Sequence, residues 1–179
     1  MIGGDLHKSI SSCVKFSTTY RKWNKIAEMK IARSDASCVV FEGRIVVSGG
    51  HNNNFVRLNT VEAYDHIDNS WTNMPNMIKR RCSHKTVAIK NKLFIVGGLV
   101  SFNFEVFDSC SNKFVLLKYE STSLLYAFAS YITTLGKKVI IFNNKNGSIT
   151  IYDVENNELV EKICEATQHI KHFSCAKIP

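Results

Sequence analysis

Short apolar runs separated by turn residues recur at regular intervals along the chain, a pattern typical of β-strands. Three of these runs close in a pair of glycines, and the first glycines of the pairs stand at positions 3, 49 and 97. The spacing of 46 and then 48 residues indicates an internal repeat. A fourth run, residues 139–142, falls at the same phase but ends in Asn143 and Asn144, which tolerate left-handed backbone as glycine does. The glycine pairs are Gly3 and Gly4, Gly49 and Gly50, and Gly97 and Gly98.

A second mark of each repeat is an extended segment that ends in an aromatic residue. Aspartate follows the aromatic in three of the four repeats, and a large apolar residue stands seven positions after it in all four. An aspartate side chain can cap a tight turn, so each segment predicts a hairpin of two antiparallel strands. The aromatic residues are Phe16, Tyr64, Phe107 and Tyr152, the aspartates are Asp65, Asp108 and Asp153, and the apolar residues are Trp23, Trp71, Phe114 and Leu159.

Each repeat also has an apolar segment upstream of its glycine-ended run, as at residues 37–41. The turn sequence Glu42-Gly43 joins the two, which predicts a second hairpin and therefore four strands per repeat. Four-stranded sheets that pack face to face are the blades of a β-propeller. We therefore predict an all-β propeller of about four blades, with a partial blade at 1–30, blades at about 36–77, 84–117 and 126–163, and a final strand at about 172–177.

The segment from the second glycine pair to the third resembles one complete kelch repeat, with the glycine pair, Tyr64, Asp65, Trp71 and Arg81 in order. The chain is also similar to the kelch half of Kelch-like proteins, the substrate adaptors of cullin-RING ubiquitin ligases. The signature is strong over residues 1–117 and weak after them, where the sequence has no glycine pair and no tryptophan. Kelch propellers of this kind usually have six blades, so the resemblance implies a fragment of a six-bladed ring; a closed ring of four blades is the alternative.

Composition and charge narrow the classes of partner. The chain is 45% hydrophobic, and its six cysteines are widely spaced without a C-x-x-C pair, which favours reduced thiols in the cytoplasm. The N-terminal segment lacks the features of a signal peptide, and no apolar run approaches a membrane span. The net charge is +8, but the basic residues do not gather into an arm or a helical stripe, so we expect an acidic protein partner, not nucleic acid or a membrane. Solvated surface charge is the alternative explanation.

The sequence contains no recognisable catalytic motif. The glycine pairs end strands and precede polar loops, so they do not form a phosphate-binding loop, and no G-x-S-x-G elbow occurs. His169 and His172 would form a metal pair on a helix, but no nearby carboxylate or cysteine completes the set. Cys82 lies among basic residues that favour a thiolate, and a semi-buried structural thiol is the alternative. We predict no enzyme activity, no cofactor and no metal.

Loops held by a rigid scaffold are where a propeller binds its partners. The loop at residues 51–57 is the longest of its class in the chain, and the connection at 76–81 gathers three cations. In kelch repeats that resemble this one, the arginine found ten residues after the tryptophan lies near the central pocket, where it would suit an acidic peptide. Lys171 is a further candidate for that rim, and the alternative role of the arginines is to bond backbone carbonyls and hold blades together. The candidate partner-binding residues are His51, Asn53, Phe55, Arg57, Lys79, Arg33 and Arg81.

The resemblance implies a protein-interaction module that recruits substrates for a ubiquitin ligase. The BTB domain that would dimerise and engage a cullin is not in these residues, so a cullin could be reached only through a domain outside this sequence. Kelch propellers of related proteins also bind actin, which makes a cytoskeletal role the alternative and actin or an acidic peptide the expected partner. A copper-holding oxidase ring is a third alternative, for which the sequence shows no ligand set.

Overall fold

The computed structural model describes residues 2–4, 8–99, 104–117, 131–142 and 149–156, and the backbone alone of residues 158–162. Within these residues the chain forms fourteen β-strands and no helix, and therefore no helix long and apolar enough to cross a membrane. The prediction of an all-β fold is confirmed.

The chain divides into two compact units, Met1–Ser83 and His84–Pro179. All strand pairs are antiparallel. Within each sheet, strands that are consecutive in the sequence lie next to each other. In the first unit, the first blade contains β1 (Cys13–Ser17) and β2 (Lys22–Ile26), and the second blade contains β3 (Ser37–Phe41), β4 (Arg44–Ser48), β5 (Val61–Asp65) and β6 (Ser70–Met74). In the second unit, the third blade contains β7 (Lys85–Ile89), β8 (Lys92–Val96), β9 (Glu105–Asp108) and β10 (Lys113–Leu116), and the fourth contains β11 (Tyr131–Leu135), β12 (Lys138–Phe142), β13 (Ile149–Asp153) and β14 (Glu158–Lys162).

The seven-residue offset between aromatic and apolar residues is the register of the second hairpin in each blade. Tyr64 lies directly opposite Trp71, and the same pairing joins Phe16 to Trp23 and, along the backbone, Tyr152 to Leu159. The ring centroids of Tyr64 and Trp71 are 5.2 Å apart and tilted by 43°, a favourable arrangement for an aromatic pair across two strands. The repeat therefore specifies the same cross-strand register in each blade.

The aspartate after each aromatic caps the turn of the same hairpin, as predicted. In the second blade, Asp65 Oδ1 accepts a hydrogen bond of 2.8 Å from the backbone N–H of Ile67. Asp108 and Asp153 make the equivalent bonds. The backbone N–H groups of Asn156 and Glu155 both donate to Asp153, and they lower the pKa of its carboxyl because they favour the charged form. The first blade has Ser17 at this position, and its hydroxyl accepts a bond from the Tyr20 N–H.

The glycine pair of the second blade allows a close approach between two backbone segments. Gly50 has φ +89°, and a Cβ atom there would lie 2.5 Å from the carbonyl oxygen of Ser34. The amide of Gly50 donates to the Arg81 carbonyl at 2.8 Å. Only glycine combines this backbone conformation with this spacing.

Each unit has its own hydrophobic core. In the first unit, Tyr64 and Trp71 of the second blade pack with Cys13 of the first blade and with Met29. The indole Nε1 of Trp71 also donates to the carbonyl of Ala27 at 2.8 Å, which fixes the second blade against the chain that leaves the first. The core of the second unit joins the third and fourth blades, and its buried members are Ile89, Phe94, Val96, Phe104, Val106, Val139, Ile141, Tyr152 and Val154.

Two of the predictions concern the ends of the chain, namely a partial first blade and a final strand. Ile2 forms an isolated bridge with Cys13 of β1, and Gly4 forms one with Ser34. The backbone of residues 2–4 thus lies next to the first blade. The predicted final strand at 172–177 and the residues Asn143, Asn144 and Lys171 lie outside the described residues.

Candidate partner-binding surface

The loop at residues 51–57 is a closed structure held by its own hydrogen bonds. The side-chain oxygen of Asn52 accepts bonds of 3.0 Å from the backbone N–H groups of Asn54 and Val56. The amide of Asn52 donates to the Val56 carbonyl, and the amide of Leu58 donates to the Gly50 carbonyl, which closes the base of the loop. These bonds fix the loop before any partner arrives, which reduces the entropy cost of binding.

Phe55 is the most prominent side chain of this loop. It is 71% exposed, and its backbone has φ +57°, a conformation that is unusual for a bulky residue. Its ring stacks on His51 with the centroids 5.2 Å apart and an interplanar angle of 29°. A strained, exposed aromatic held in one position by its surroundings is a feature that clusters at functional sites.

His51 and Asn53 connect the loop to Ser9 through hydrogen bonds. His51 is buried, and its carbonyl accepts a bond of 2.8 Å from the hydroxyl of Ser9. The side-chain oxygen of Asn53 accepts a bond of 2.7 Å from the Ser9 amide. Both residues therefore tie the loop to the segment that precedes β1, and neither leaves its whole side chain available to a partner.

The cations near the loop differ in accessibility. Lys79 and Arg80 are exposed, and Arg80 donates to the carbonyl of Arg57 at 3.4 Å. Arg57 is half-buried and its side chain bonds to the sulfur of Cys82. Burial nevertheless raises the pKa of the Cys82 thiol, with the nearby charge of Asp35 acting in the same direction, so the geometry supports the structural alternative for this cysteine.

Arg33 is fully buried inside the second blade. Its Nη2 atom lies 2.6 Å from Oε1 of Glu62, and both side chains have almost no exposed surface. Nη1 donates to the carbonyl of Gly49 at 2.6 Å, and Nη2 also donates to the hydroxyl of Thr60. The guanidinium therefore bonds to its own chain, which is the alternative role considered for this residue, and it offers no surface to a partner.

Glu62 completes this buried site, and sequence reasoning missed it. Its carboxylate accepts bonds from the amides of Lys30 and Ile31 at 2.7 Å and 3.2 Å, as well as the guanidinium of Arg33. Burial lowers the pKa of Arg33, and the bond to Glu62 opposes that change. Glutamate two residues before the aromatic recurs as Glu105, and this recurrence was the signal available in the sequence.

Arg81 holds the position of Arg33 one repeat later and is also fully buried. Glu105, the counterpart of Glu62, is fully buried too. The two arginines are thus interior residues of their repeats.

Of the seven predicted binding residues, the structure brings His51, Asn53, Phe55 and Arg57 together in one loop. Lys79 lies on the exposed connection that follows β6.

The described residues contain no group of three histidine, cysteine, aspartate or glutamate side chains placed to hold a metal ion. His169 and His172 lie outside the part of the chain that the structure describes.

The fold and the repeat define a class of protein. The blades of a kelch-type β-propeller are four-stranded antiparallel sheets. In the second blade a glycine pair follows β4, and an aromatic pair joins β5 to β6. The family model described as "Kelch motif" matches residues 32–78 and 80–118. The chain therefore contains a kelch repeat region, and this region resembles Kelch-like proteins.

Three curated relatives illustrate the similarity. An F-box/kelch-repeat protein of Arabidopsis thaliana is 29% identical over 102 residues, which cover 57% of this chain and 27% of that protein. Kelch-like protein 41a of Danio rerio is 32% identical over 99 residues, covering 54% of this chain and 16% of the relative. Alpha-scruin of Limulus polyphemus is 32% identical over 85 residues, covering 48% and 9%. The matched part of the chain spans about a quarter or less of the length of each relative.

Proposed function

We propose that this chain binds substrates for a cullin-RING ubiquitin ligase, as the kelch region of an adaptor of the Kelch-like type. Kelch repeats form a protein-interaction module. The similarity to a Kelch-like protein, and to a relative whose name joins kelch repeats to an F-box, supports the adaptor role. On this proposal the chain recognises a protein and catalyses no reaction, and the cullin is engaged by a BTB domain outside these residues.

One observation carries the proposal. The loop at 51–57 is fixed by Asn52 and presents Phe55 to solvent on a strained backbone, beside the exposed side chain of Val56. An exposed aromatic that is already ordered supplies contact area with little loss of entropy, which is the usual property of a binding hot spot. We place the substrate on this loop, with an acidic residue of that substrate near the exposed Lys79.

The experiment is affinity purification of the natural gene product from the cells that express it. Wild type is compared with Phe55→Ala, and Ile67→Ala serves as the control because Ile67 is an 81% exposed apolar residue on another turn. We expect a cullin to co-purify with all three proteins and a set of substrates to be lost only from Phe55→Ala. These substrates should accumulate when the gene is disrupted. Absence of a cullin, or unchanged substrate levels, would refute the adaptor role.

A cytoskeletal role is the second candidate, because kelch propellers of related proteins bind actin and alpha-scruin is among the relatives. Co-sedimentation with actin filaments tests it directly. Enrichment of the chain in the filament pellet, and loss of that enrichment in Phe55→Ala, would favour this role over the adaptor.

A cytoplasmic location is proposed for both functions, on the basis of the widely spaced cysteines. Fluorescence microscopy of the natural protein with a fluorescent tag tests this location.

A further inference from the structure

A buried hydrogen-bond network of Ser9, Ser34 and His51 lies at the base of the loop at 51–57. The Ser9 hydroxyl donates its proton to the His51 carbonyl at 2.8 Å. The hydroxyl oxygens of Ser9 and Ser34 are 2.9 Å apart. Because a hydroxyl has one proton and that of Ser9 is already used, Ser34 donates to Ser9. The oxygen of Ser34 can then only accept a hydrogen bond from the His51 ring.

The imidazole ring of His51 faces acceptors at both of its nitrogens. Nδ1 is 3.0 Å from the carbonyl oxygen of Asn52, and the Ser34 oxygen is 3.4 Å from Nδ1 and 3.5 Å from Nε2. A carbonyl oxygen cannot donate, so Nδ1 carries a proton for its nearer acceptor, Asn52. In a neutral ring the lone pair of Nε2 then faces the lone pairs of Ser34. Only the doubly protonated ring donates at both nitrogens.

A positive charge on His51 also strengthens its contact with Phe55. The two ring centroids are 5.2 Å apart and the rings are inclined by 29°, within the distance at which a cation is attracted to an aromatic face. The backbone of Phe55 has φ +57°, which is costly for a bulky residue. The stacking contact opposes this strain, so Phe55 should leave its position more readily when the histidine is neutral.

Charged residues adjoin the network on each of its segments. The Asp35 carboxylate accepts a hydrogen bond from Ser83, and the Arg57 guanidinium bonds to the sulfur of Cys82, so both groups are engaged with residues other than His51. Among these residue types, only histidine ordinarily changes its charge between about pH 5 and 8. The charged neighbours in the described part of the chain are Lys8, Arg33, Asp35 and Arg57.

We infer that His51 is a positioning residue for Phe55, and that the doubly protonated ring is the form that holds Phe55 in place for binding. This inference rests on the proposed binding of substrates by the loop at 51–57. Loss of the second proton leaves Nε2 without a hydrogen bond to Ser34 and weakens the stacking on Phe55. Capture of the substrates that need Phe55 should therefore fall as the pH rises from about 5.5 to 8.

The first test uses NMR of the natural protein with isotope-labelled histidine and fluorinated phenylalanine. The signals of His51 and Phe55 are assigned by their loss in His51→Asn and Phe55→Ala. We expect both ring nitrogens of His51 to be protonated at about pH 5.5 and only Nδ1 at about pH 8, with the fluorine signal of Phe55 changing over the same range. A neutral ring with its proton on Nε2, or a Phe55 signal that does not follow the ring, would overturn the inference.

The second test measures substrate capture at two pH values. The substrates lost from Phe55→Ala are quantified by mass spectrometry after wild-type complexes are washed at about pH 5.5 or about pH 8, and at least about threefold more should remain at the lower pH. His51→Asn keeps a donor at the position of Nδ1 but cannot acquire the charge, so its capture should be equal at both pH values. The control is His66→Asn, which removes an exposed histidine from the β5–β6 turn and should keep the wild-type pH dependence.

The pH dependence separates positioning by charge from a purely structural role of His51. A structural role alone would lower capture by His51→Asn and leave the ratio between the two pH values as in wild type, which would overturn the inference. Circular dichroism verifies that each variant is folded. If Phe55-dependent substrates are captured equally at both pH values, the inference fails and the proposed function stands. If the Phe55 signal follows the His51 titration but no substrate depends on Phe55, the proposed function is refuted and the positioning role stands.

Discussion

The guanidinium of Arg33 and the carboxylate of Glu62 form an ion pair of 2.6 Å with both side chains buried. Removal of one partner leaves the other charge buried without compensation, which typically costs about 3–5 kcal/mol. We therefore expect Glu62→Gln to lower the free energy of unfolding by about that amount, as measured by urea denaturation followed by circular dichroism. The carboxylate also serves the amides of Lys30 and Ile31, so the segment before β3 should loosen as well.

The control for this prediction is Glu155→Gln, which removes the exposed ion pairs of Glu155 with Lys90 and Lys137. Exposed pairs contribute little because water screens them. A loss for Glu62→Gln no larger than that for Glu155→Gln would contradict a structural role for the buried pair.

Gly50 and Gly43 separate backbone conformation from close packing. Both have positive φ, but a Cβ at Gly50 would lie 2.5 Å from the Ser34 carbonyl, whereas a Cβ at Gly43 would have no atom within 4 Å. Gly43→Ala should cost about 1–2 kcal/mol, the usual penalty for left-handed backbone. Gly50→Ala should cost clearly more, since the backbone must also move. Equal unfolding midpoints in urea would show that the approach of the two segments is not tight.

The two tryptophans should respond differently to truncation. Trp71 is 5% exposed and donates to Ala27, so Trp71→Ala should lower the free energy of unfolding by about 3–5 kcal/mol. Trp23 is largely exposed, and Trp23→Ala should cost about 1 kcal/mol or less, mainly from its contact with Phe16. Thermal melts of both variants measure the difference. A large cost for Trp23→Ala would mean that its face is covered in solution.

The described cysteines fall into an exposed and a buried pair. Burial raises the pKa of the Cys13 and Cys82 thiols, whereas Cys38 and Cys110 are exposed. Iodoacetamide near pH 7 should therefore label Cys38 and Cys110 first, as peptide mass spectrometry would show. Rapid labelling of Cys82 would instead support the thiolate that its basic neighbours suggest.

The same pKa shifts predict the direction of a pH effect. A thiol with a raised pKa in the folded protein loses its proton more readily in the unfolded chain. The stability from the neutral buried thiols is therefore fully present below about pH 8.5, their ordinary pKa, and falls as the pH rises through the folded values. Thermal melts at increasing alkaline pH should show a decline that Cys13→Ala reduces.

Phe55 allows binding and stability to be tested separately. Phe55→Gly relieves the positive φ but removes the contact with His51, so the net change in unfolding free energy should lie within about 1 kcal/mol. Substrate capture should nevertheless be lost, as quantified by mass spectrometry against the Ile67→Ala control. Retention of the same substrates by Phe55→Gly would exclude the ring as an anchor.

The strand pairs were predictable from the sequence because their signals are local. Tyr64 and Trp71 are seven residues apart and meet across one hairpin, and Asp65 caps the turn between them. Glycine at position 50 likewise indicated a backbone conformation with positive φ. Each of these features depends on a few neighbouring residues, so their order along the chain was enough.

The role of the charged and aromatic residues depended on what packs against them. The sequence left two roles open for Arg33, the rim of a pocket or bonds to backbone carbonyls. Glu62, which lies 29 positions away, holds it in the interior. The Phe16–Trp23 and Tyr64–Trp71 pairs have the same spacing, yet one is exposed and the other buried. The sequence by itself determined the repeat, the strands and their register, since these follow from short-range hydrogen bonding and turn chemistry. Burial, and therefore which residues remain free to bind a partner, was decided only by the tertiary structure, because it depends on surfaces that distant segments bring together.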